Sequence, residues 1–273
     1  MFDAIDWSRP WYDAVRPAFA RFDFDALGLT GALNAGAASL ALVNQRGQPI
    51  RFVPQSELPE GRAYEDFIGA TGCVPTRDNL HDFFNGLVWL TFPRIKQQLN
   101  ALQAAQIALA GVGKSRGAAR DAATIFDENS ALLVVRSGEL EPLLRAHAWS
   151  EALYVRRDLF GTDAQVWLFG HALMEKLVAP RKAITAHTRV IEADDAYFKL
   201  PVEQQRAWID EHVATSLANE ELNTSCFTPL PVLGVPGWWP QQDAAFYADA
   251  TVFRPKPPRR PREGGGPTAR DPC

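Results

Sequence analysis

Apolar positions along the chain cluster at spacings that predict helices more often than strands. The first thirty residues read as helical, with Pro10 near a start and Phe19, Phe22 and Leu27 as core anchors. In ASLALVNQRGQPIRFVPQ, two apolar runs flank Asn44-Gln45-Arg46-Gly47, the pattern of a β-hairpin. ELPEGRAYEDFIGATGCVP is a connection with a short helical piece. Residues 77–91 predict a helix with Thr76 as N-cap and Asp78 in its first turn, where an acid suits the helix dipole. Pro93 then either opens a second helix, running to about Ala110, or kinks one long helix. ATIFDENSALLVV predicts a second hairpin turning at Asp127-Glu128-Asn129-Ser130, and ELEPLLRAHAWSEALYVRR reads as helical.

Residues 163–178 predict a helix, because Thr162 and Gln165 have capping-box spacing and Pro180 sits just past the end. AITAHTRVIEA reads as extended, and VEQQRAWIDEHVATSLA as an amphipathic helix. FTPLPVLGVPGWWPQQ is too rich in Pro, Gly and Trp for a regular element and is expected to pack as an ordered loop around Trp238 and Trp239. Hairpins and helix clusters without strict strand–helix alternation imply an α+β, helix-dominated single domain over 1–254. PKPPRRPREGGGPTARDPC, 255–273, is low-complexity and expected to be disordered.

The 77–91 segment carries Asp78, His81, Asp82 and Asn85 within ~100° of one side, continuing into Trp89 and Phe92. Leu80, Phe83, Phe84, Leu87 and Leu90 form the opposite, core-facing side. A solvated helix face accounts for such a stripe. Yet Asp, His and Asn are poor helix formers, and the stripe runs into aromatics rather than further charge, as in the wall of a cleft. On the 163–178 helix, His171 and Glu175 are i, i+4 within an apolar stripe of Ala164, Trp167, Leu168 and Val178. Buried there, the pair needs partners. Either it is a structural strut or it meets the first stripe across a shared pocket.

In the second case His81, Asp82, His171 and Glu175 supply acid and base groups, and His81, His171 and Glu175 supply ligands that zinc, iron or manganese accept. Asp78, Asn85, Trp89, Arg120, Asp127 and Glu128 would line the pocket for a small-molecule substrate. Asp127 and Glu128 at a hairpin also suit a divalent ion, although no Glu-x-Lys follows as in many nucleases. The chain has no His-Glu-x-x-His, no Gly-x-Ser-x-Gly, and no complete phosphate loop. GVGKSRGAAR has its glycines at the wrong spacing and follows a helix, so it reads as a basic loop, with an anion site as the lesser alternative. His147, His187 and His212 stand alone in amphipathic contexts.

With 273 residues, 47% of them hydrophobic, the chain can bury a substantial core. A net charge of −4 gives no global attraction to nucleic acid or membrane, leaving the basic tail as the lesser nucleic-acid candidate. No segment is apolar enough to span a bilayer, and the N-terminal stretch lacks the pattern of a secretory signal. Cys73, Cys226 and Cys273 are too few and scattered for a disulfide framework, so a cytoplasmic setting is expected.

RDNLHDFFNGLVWLTFPRIKQQLN, RDAATIFDENSALLV, LFGHALMEKL and PLPVLGVPGWWP with FYADATVFRP resemble, in that order, the uncharacterised bacterial family catalogued as domain of unknown function 3025. The resemblance implies a bacterial cytosolic protein and brings no activity, cofactor or site. The residues therefore point, on their own chemistry, to a hydrolase with a His/Asp/Glu pocket. The alternative is a non-catalytic binding protein whose polar network is structural and whose partner surface is the Trp238–Trp239 loop with the tail.

Overall fold

The computed structural model describes residues 2–110 and 117–257. Helices dominate: α1 (Arg16–Ala20), α2 (Phe24–Ser39), α3 (Tyr64–Thr71), α4 (Leu80–Thr91), α5 (Pro93–Ala110), α6 (Ala118–Asn129), α7 (Leu140–Arg145), α8 (His171–Lys176), α9 (Asp195–Phe198), α10 (Val202–Asn219) and α11 (Ala244–Tyr247). The strands are β1 (Arg51–Pro54), β2 (Cys73–Thr76), β3 (Ser130–Val135), β4 (Ala164–Leu168), β5 (Thr185–Glu192) and β6 (Thr228–Pro231). β1 and β2 form a parallel pair, and the other four form a sheet in the order β4-β3-β5-β6. The class is α+β with helices dominant, as the hydrophobic pattern implies. The basic loop at 111–116 and the tail from 258 onward lie outside the described residues. Among those described, no helix is long and apolar enough to cross a membrane.

The sheet is organised by β3, which is buried along its whole length and pairs antiparallel with β4 and parallel with β5. Because side chains alternate across a strand, Leu132 and Val134 join the main core, while Leu133 and Val135 join a second core with Leu140, Leu144 and Leu153 on the other face. That is why SALLVV is a continuous apolar run rather than an alternating one.

Several local expectations are corrected. The segment 163–178 is not one helix: it is β4, a Phe169-Gly170 turn, and α8. Val166, Trp167 and Leu168 gain ladder pairing with β3, which overrides the capping-box pattern. Asp127 and Glu128 are not in a hairpin but in the last turn of α6, whose Ala122, Ala123 and Phe126 recur at helical spacing and are buried. The Asn44–Gly47 turn exists, but it closes only a single bridge, Val43 to Pro49; residues 38–39 end α2, and β1 pairs with β2 instead. Thr76 belongs to β2, and the N-cap of α4 is Asn79, whose side chain accepts from the Asp82 N–H. Leu27 is exposed rather than a core anchor. β6 is a regular strand inside the stretch read as irregular, while Trp238 and Trp239 do pack against the core. Of the two alternatives at Pro93, the structure has the second helix, α5, opening there, and 202–219 is one helix.

Candidate functional site

The register of β3 and β4 sets up the site. Ala131 lies opposite Leu168, so the start of β3 and the end of β4 occupy the same edge of the sheet. α6 ends there with Asp127 and Glu128, and α8 begins there with His171. The turn between β4 and α8 is pressed onto the end of α6: Phe169 and Gly170 both donate their N–H to the Ser130 carbonyl, at 3.2 and 2.9 Å. A Cβ on residue 170 would lie 2.4 Å from the Ser130 nitrogen, so only glycine permits this approach. α4 then brings in His81. Its core side, Phe83, Phe84, Leu87 and Val88, is fully buried, and Tyr12 ties it to α8 by stacking on Phe84 and donating to the Met174 carbonyl at 3.1 Å.

The result is a cavity of about 270 Å³ whose lining includes Tyr64, Glu65, Arg77, His81, Asp82, Asn85, Asp127, Glu128 and His171. His81 and His171, read from separate helical segments, meet: their Nε2 atoms are 3.2 Å apart. The Nδ1 of His81 faces Glu175 Oε2 at 3.0 Å. Glu128 Oε2 is 3.5 Å from His171 Nε2, and Asp127 Oδ2 is 3.9 Å from His171 Nδ1. The i, i+4 relation of His171 and Glu175 survives the loss of the longer helix because both residues lie in α8. Glu175, however, partners His81 rather than its own neighbour.

Asp82 is buried and takes a two-pronged bond from the Arg77 guanidinium, 3.0 Å on each prong, plus the Arg77 backbone N–H at 2.6 Å. Asn85 accepts from Lys96 Nζ at 2.8 Å and donates to the Tyr64 hydroxyl at 3.1 Å. The same Lys96 ammonium lies 2.6 Å from Asp127 Oδ1 and sits over the ring of Trp89. Trp89 is therefore a buried support beneath Lys96 and does not line the cavity, unlike the aromatic floor expected of it. Asp78 is exposed and also outside the lining, and Arg120, on α6, acts only as a nearby positive charge on Glu65.

Burial depresses the His171 imidazole to about 4, against the pull of Asp127, so the ring is neutral near pH 7. Burial alone would raise Asp127, but Lys96 and the two imidazoles outweigh it and hold the carboxyl below its usual range. Glu128 is raised by its partial burial and by Asp127 beside it. Glu65, whose Oε2 accepts from Asn100 at 2.6 Å, is likewise raised by burial and then by Asp127.

Sequence reasoning missed Lys96, Tyr64, Glu65 and Arg77. Two cations, Arg94 and Lys96, in the first turn after Pro93, where the helix dipole disfavours positive charge, were the available signal for the first. Tyr64 and Glu65 open α3, which the pattern showed only as a short helical piece.

Residues 50–257 match the model of a family described as protein of unknown function, DUF3025. The chain belongs to that family. The match takes in every residue of the pocket, including α4, α6 and α8, and leaves α1 and α2 outside. No curated protein and no solved structure matches the chain.

Proposed function

We propose that this member of the DUF3025 family is a hydrolase that activates water for attack on a small polar substrate in the 270 Å³ pocket. One observation carries the reading: two imidazoles from different helices present their Nε2 atoms to each other at 3.2 Å, while Glu175 meets the Nδ1 of His81 at 3.0 Å and Asp127 faces the Nδ1 of His171 from 3.9 Å, beyond hydrogen-bond length. A carboxylate on Nδ1 fixes the ring and its tautomer and turns the other nitrogen toward the cavity, the arrangement required of groups that orient and polarise a water. His81 and His171 are the reacting pair in this reading. Glu175 orients His81, Asp127 is the negative charge facing the Nδ1 side of His171, and Asp82 acts through Arg77 at the rim rather than in the chemistry. A bacterial cytoplasmic setting is part of the same proposal, since a free thiol such as the buried Cys73 persists in a reducing compartment.

The test is turnover of a panel of chromogenic esters, amides and phosphodiesters by the full chain. His81→Ala and His171→Ala are expected to lose at least ~100-fold in kcat/KM, and Glu175→Gln less. Unchanged turnover in both histidine variants would exclude the pocket as the active site. A second reading, a binding protein in which these groups are internal struts, is favoured by the Lys96–Asp127 pair, which is buried and holds α5 against α6. It predicts that both histidine variants unfold more easily and that the panel yields no turnover in the parent.

A further inference from the structure

We propose that His81 Nε2, His171 Nε2 and a carboxylate oxygen of Glu128 bind one divalent transition-metal ion, with zinc the best fit. The proposal rests on the hydrolytic reading for the use of the ion, though not for its binding.

Three ligand atoms, one from each residue, lie within 4.8 Å of one another. Glu175 receives the Nδ1 proton of His81, which leaves a lone pair on Nε2. Asp127 is the carboxylate facing Nδ1 of His171, and a proton on that nitrogen again leaves the Nε2 lone pair inward. A proton held between the two Nε2 atoms would satisfy that one contact. It would not answer Glu128, whose Oε2 faces the same His171 nitrogen at 3.5 Å. Of the nearby cations, Lys176 bonds the neutral Asn129 and offsets part of the Glu128 charge, while the other two are committed elsewhere. Lys96 is engaged by Asp127 and Asn85, and Arg77 by Asp82. The wider cavity has the same bias, with Glu65, Asp82, Asp127 and Glu128 in its lining against Arg77.

The spacing fits a particular ion. Tetrahedral bonds of ~2.0–2.1 Å put ligand atoms about 3.3–3.4 Å apart. Two of the three separations, 3.2 and 3.5 Å, bracket that value, and the third, between His81 and Glu128, lies within 4.8 Å, a gap that a rotation of the half-exposed Glu128 side chain can close. Two imidazoles and one carboxylate are the donors of zinc, iron and manganese sites, whereas calcium and magnesium take oxygen alone. Three protein ligands leave a fourth position toward the cavity for water, whose proton such an ion makes easier to lose.

The ligand set differs from the one the sequence suggested. Glu175 lies on the Nδ1 edge of His81, opposite the nitrogen that faces the ion, so it orients the ligand rather than joining it. The buried Nδ1 of His171 has no hydrogen-bond partner, and the 3.9 Å to Asp127 is too long to count as one. Asp127 is nonetheless held in place by Lys96 at 2.6 Å, so a small turn of the ring on binding an ion gives it the same carboxylate support that His81 already has.

The full chain, stripped with chelator and dialysed against zinc, is expected to retain one ion per chain by elemental analysis. The cobalt(II) form is expected to show the intense visible absorption of a tetrahedral site. Glu128→Gln, a change on a half-exposed side chain, should abolish stoichiometric retention while leaving the circular dichroism and the melting curve of the stripped protein unchanged. Glu175→Gln should weaken affinity ~10–100-fold without abolishing it. A folded parent that retains no zinc, manganese or iron(II) overturns the proposal. So does retention that survives both Glu128→Gln and His171→Ala, or a loss in Glu175→Gln as complete as in Glu128→Gln. Retained metal without turnover on the substrate panel upholds the site and removes the hydrolytic reading. Turnover untouched by chelator does the opposite.

Discussion

Two cavities of similar size and different character lie on either side of the β4–α8 connection: β4 lines one, and His171, at the start of α8, lines the other. The polar one holds about 270 Å³, and its walls include His81, Asp82, Glu128 and His171. The other, about 310 Å³, lies against the side of the strand and is walled by Trp11, Trp167 and Trp238 with Gln165 and Gln205. The aromatic cavity is shaped by large side chains packed into the core, so each wall stands largely by its own burial. Around the polar cavity the lining side chains are instead held by ionisable partners: Asp127 by Lys96 of α5, Asp82 by Arg77 just before α4, and His81 by Glu175 of α8. Hydrophobic packing tolerates the loss of one member by partial collapse, whereas a buried ion pair loses one member and strands the other.

The sharpest way to break this contrast is Lys96→Met. It leaves the Asp127 carboxylate buried without its cation and is expected to cost ~3–5 kcal/mol, read from urea denaturation at pH 7. Lys96→Met with Asp127→Asn should recover most of that, and a single-variant loss below ~1 kcal/mol would show that the pair is not what holds the wall.

Next in size is a pH effect at the same wall. α5 carries Lys96, and its first turn is held by Asp210 of α10, which accepts from the N–H groups of Arg94 and Ile95 at 3.1 and 2.9 Å. Burial pushes the Asp210 carboxyl up to about 6, although those two bonds pull the other way. The folded chain therefore takes this proton before the unfolded chain does, so the group's contribution is full below about pH 4 and is lost as pH rises through 6. The stability of the parent relative to Asp210→Asn is expected to fall by up to ~3 kcal/mol between pH 4 and pH 6. A difference that rises with pH in that window would reverse the assignment.

In the aromatic cavity, Trp238→Ala removes a half-buried ring and is expected to cost ~1–2 kcal/mol. It should leave metal retention at the other cavity intact, and metal loss in this variant would show that the two cavities are coupled. Smallest of all, Asp78→Ala should stay within ~0.5 kcal/mol of the parent with unaltered metal retention, since Asp78 is exposed and outside the lining.

Local chemistry makes part of the site legible in the sequence. His81 and Asp82 stand out because they interrupt a buried helix, and His171 and Glu175 because they share a helical face at i, i+4. The partners of these residues are not legible. Glu128 has no visible relation to His171, because the last turn of α6 reads as a hairpin: its Asp-Glu-Asn-Ser is equally good turn chemistry. Lys96 and Glu65 do not announce their partners either: only long-range packing buries Lys96 against Asp127 and leaves Glu65 half-buried within reach of the Asp127 charge.

The sequence by itself determined the helix-dominated class, the break at Pro93, the helix over 202–219 and the polar residues of α4, because periodicity and backbone chemistry act within a few residues of chain. Only the tertiary structure decided that AQVWL is strand rather than helix, that Gly170 lets α8 touch the end of α6, and that Glu175 serves His81 while Glu128 faces His171. Those outcomes depend on contacts between segments about 40 to 95 residues apart, and no local preference encodes which segment will arrive.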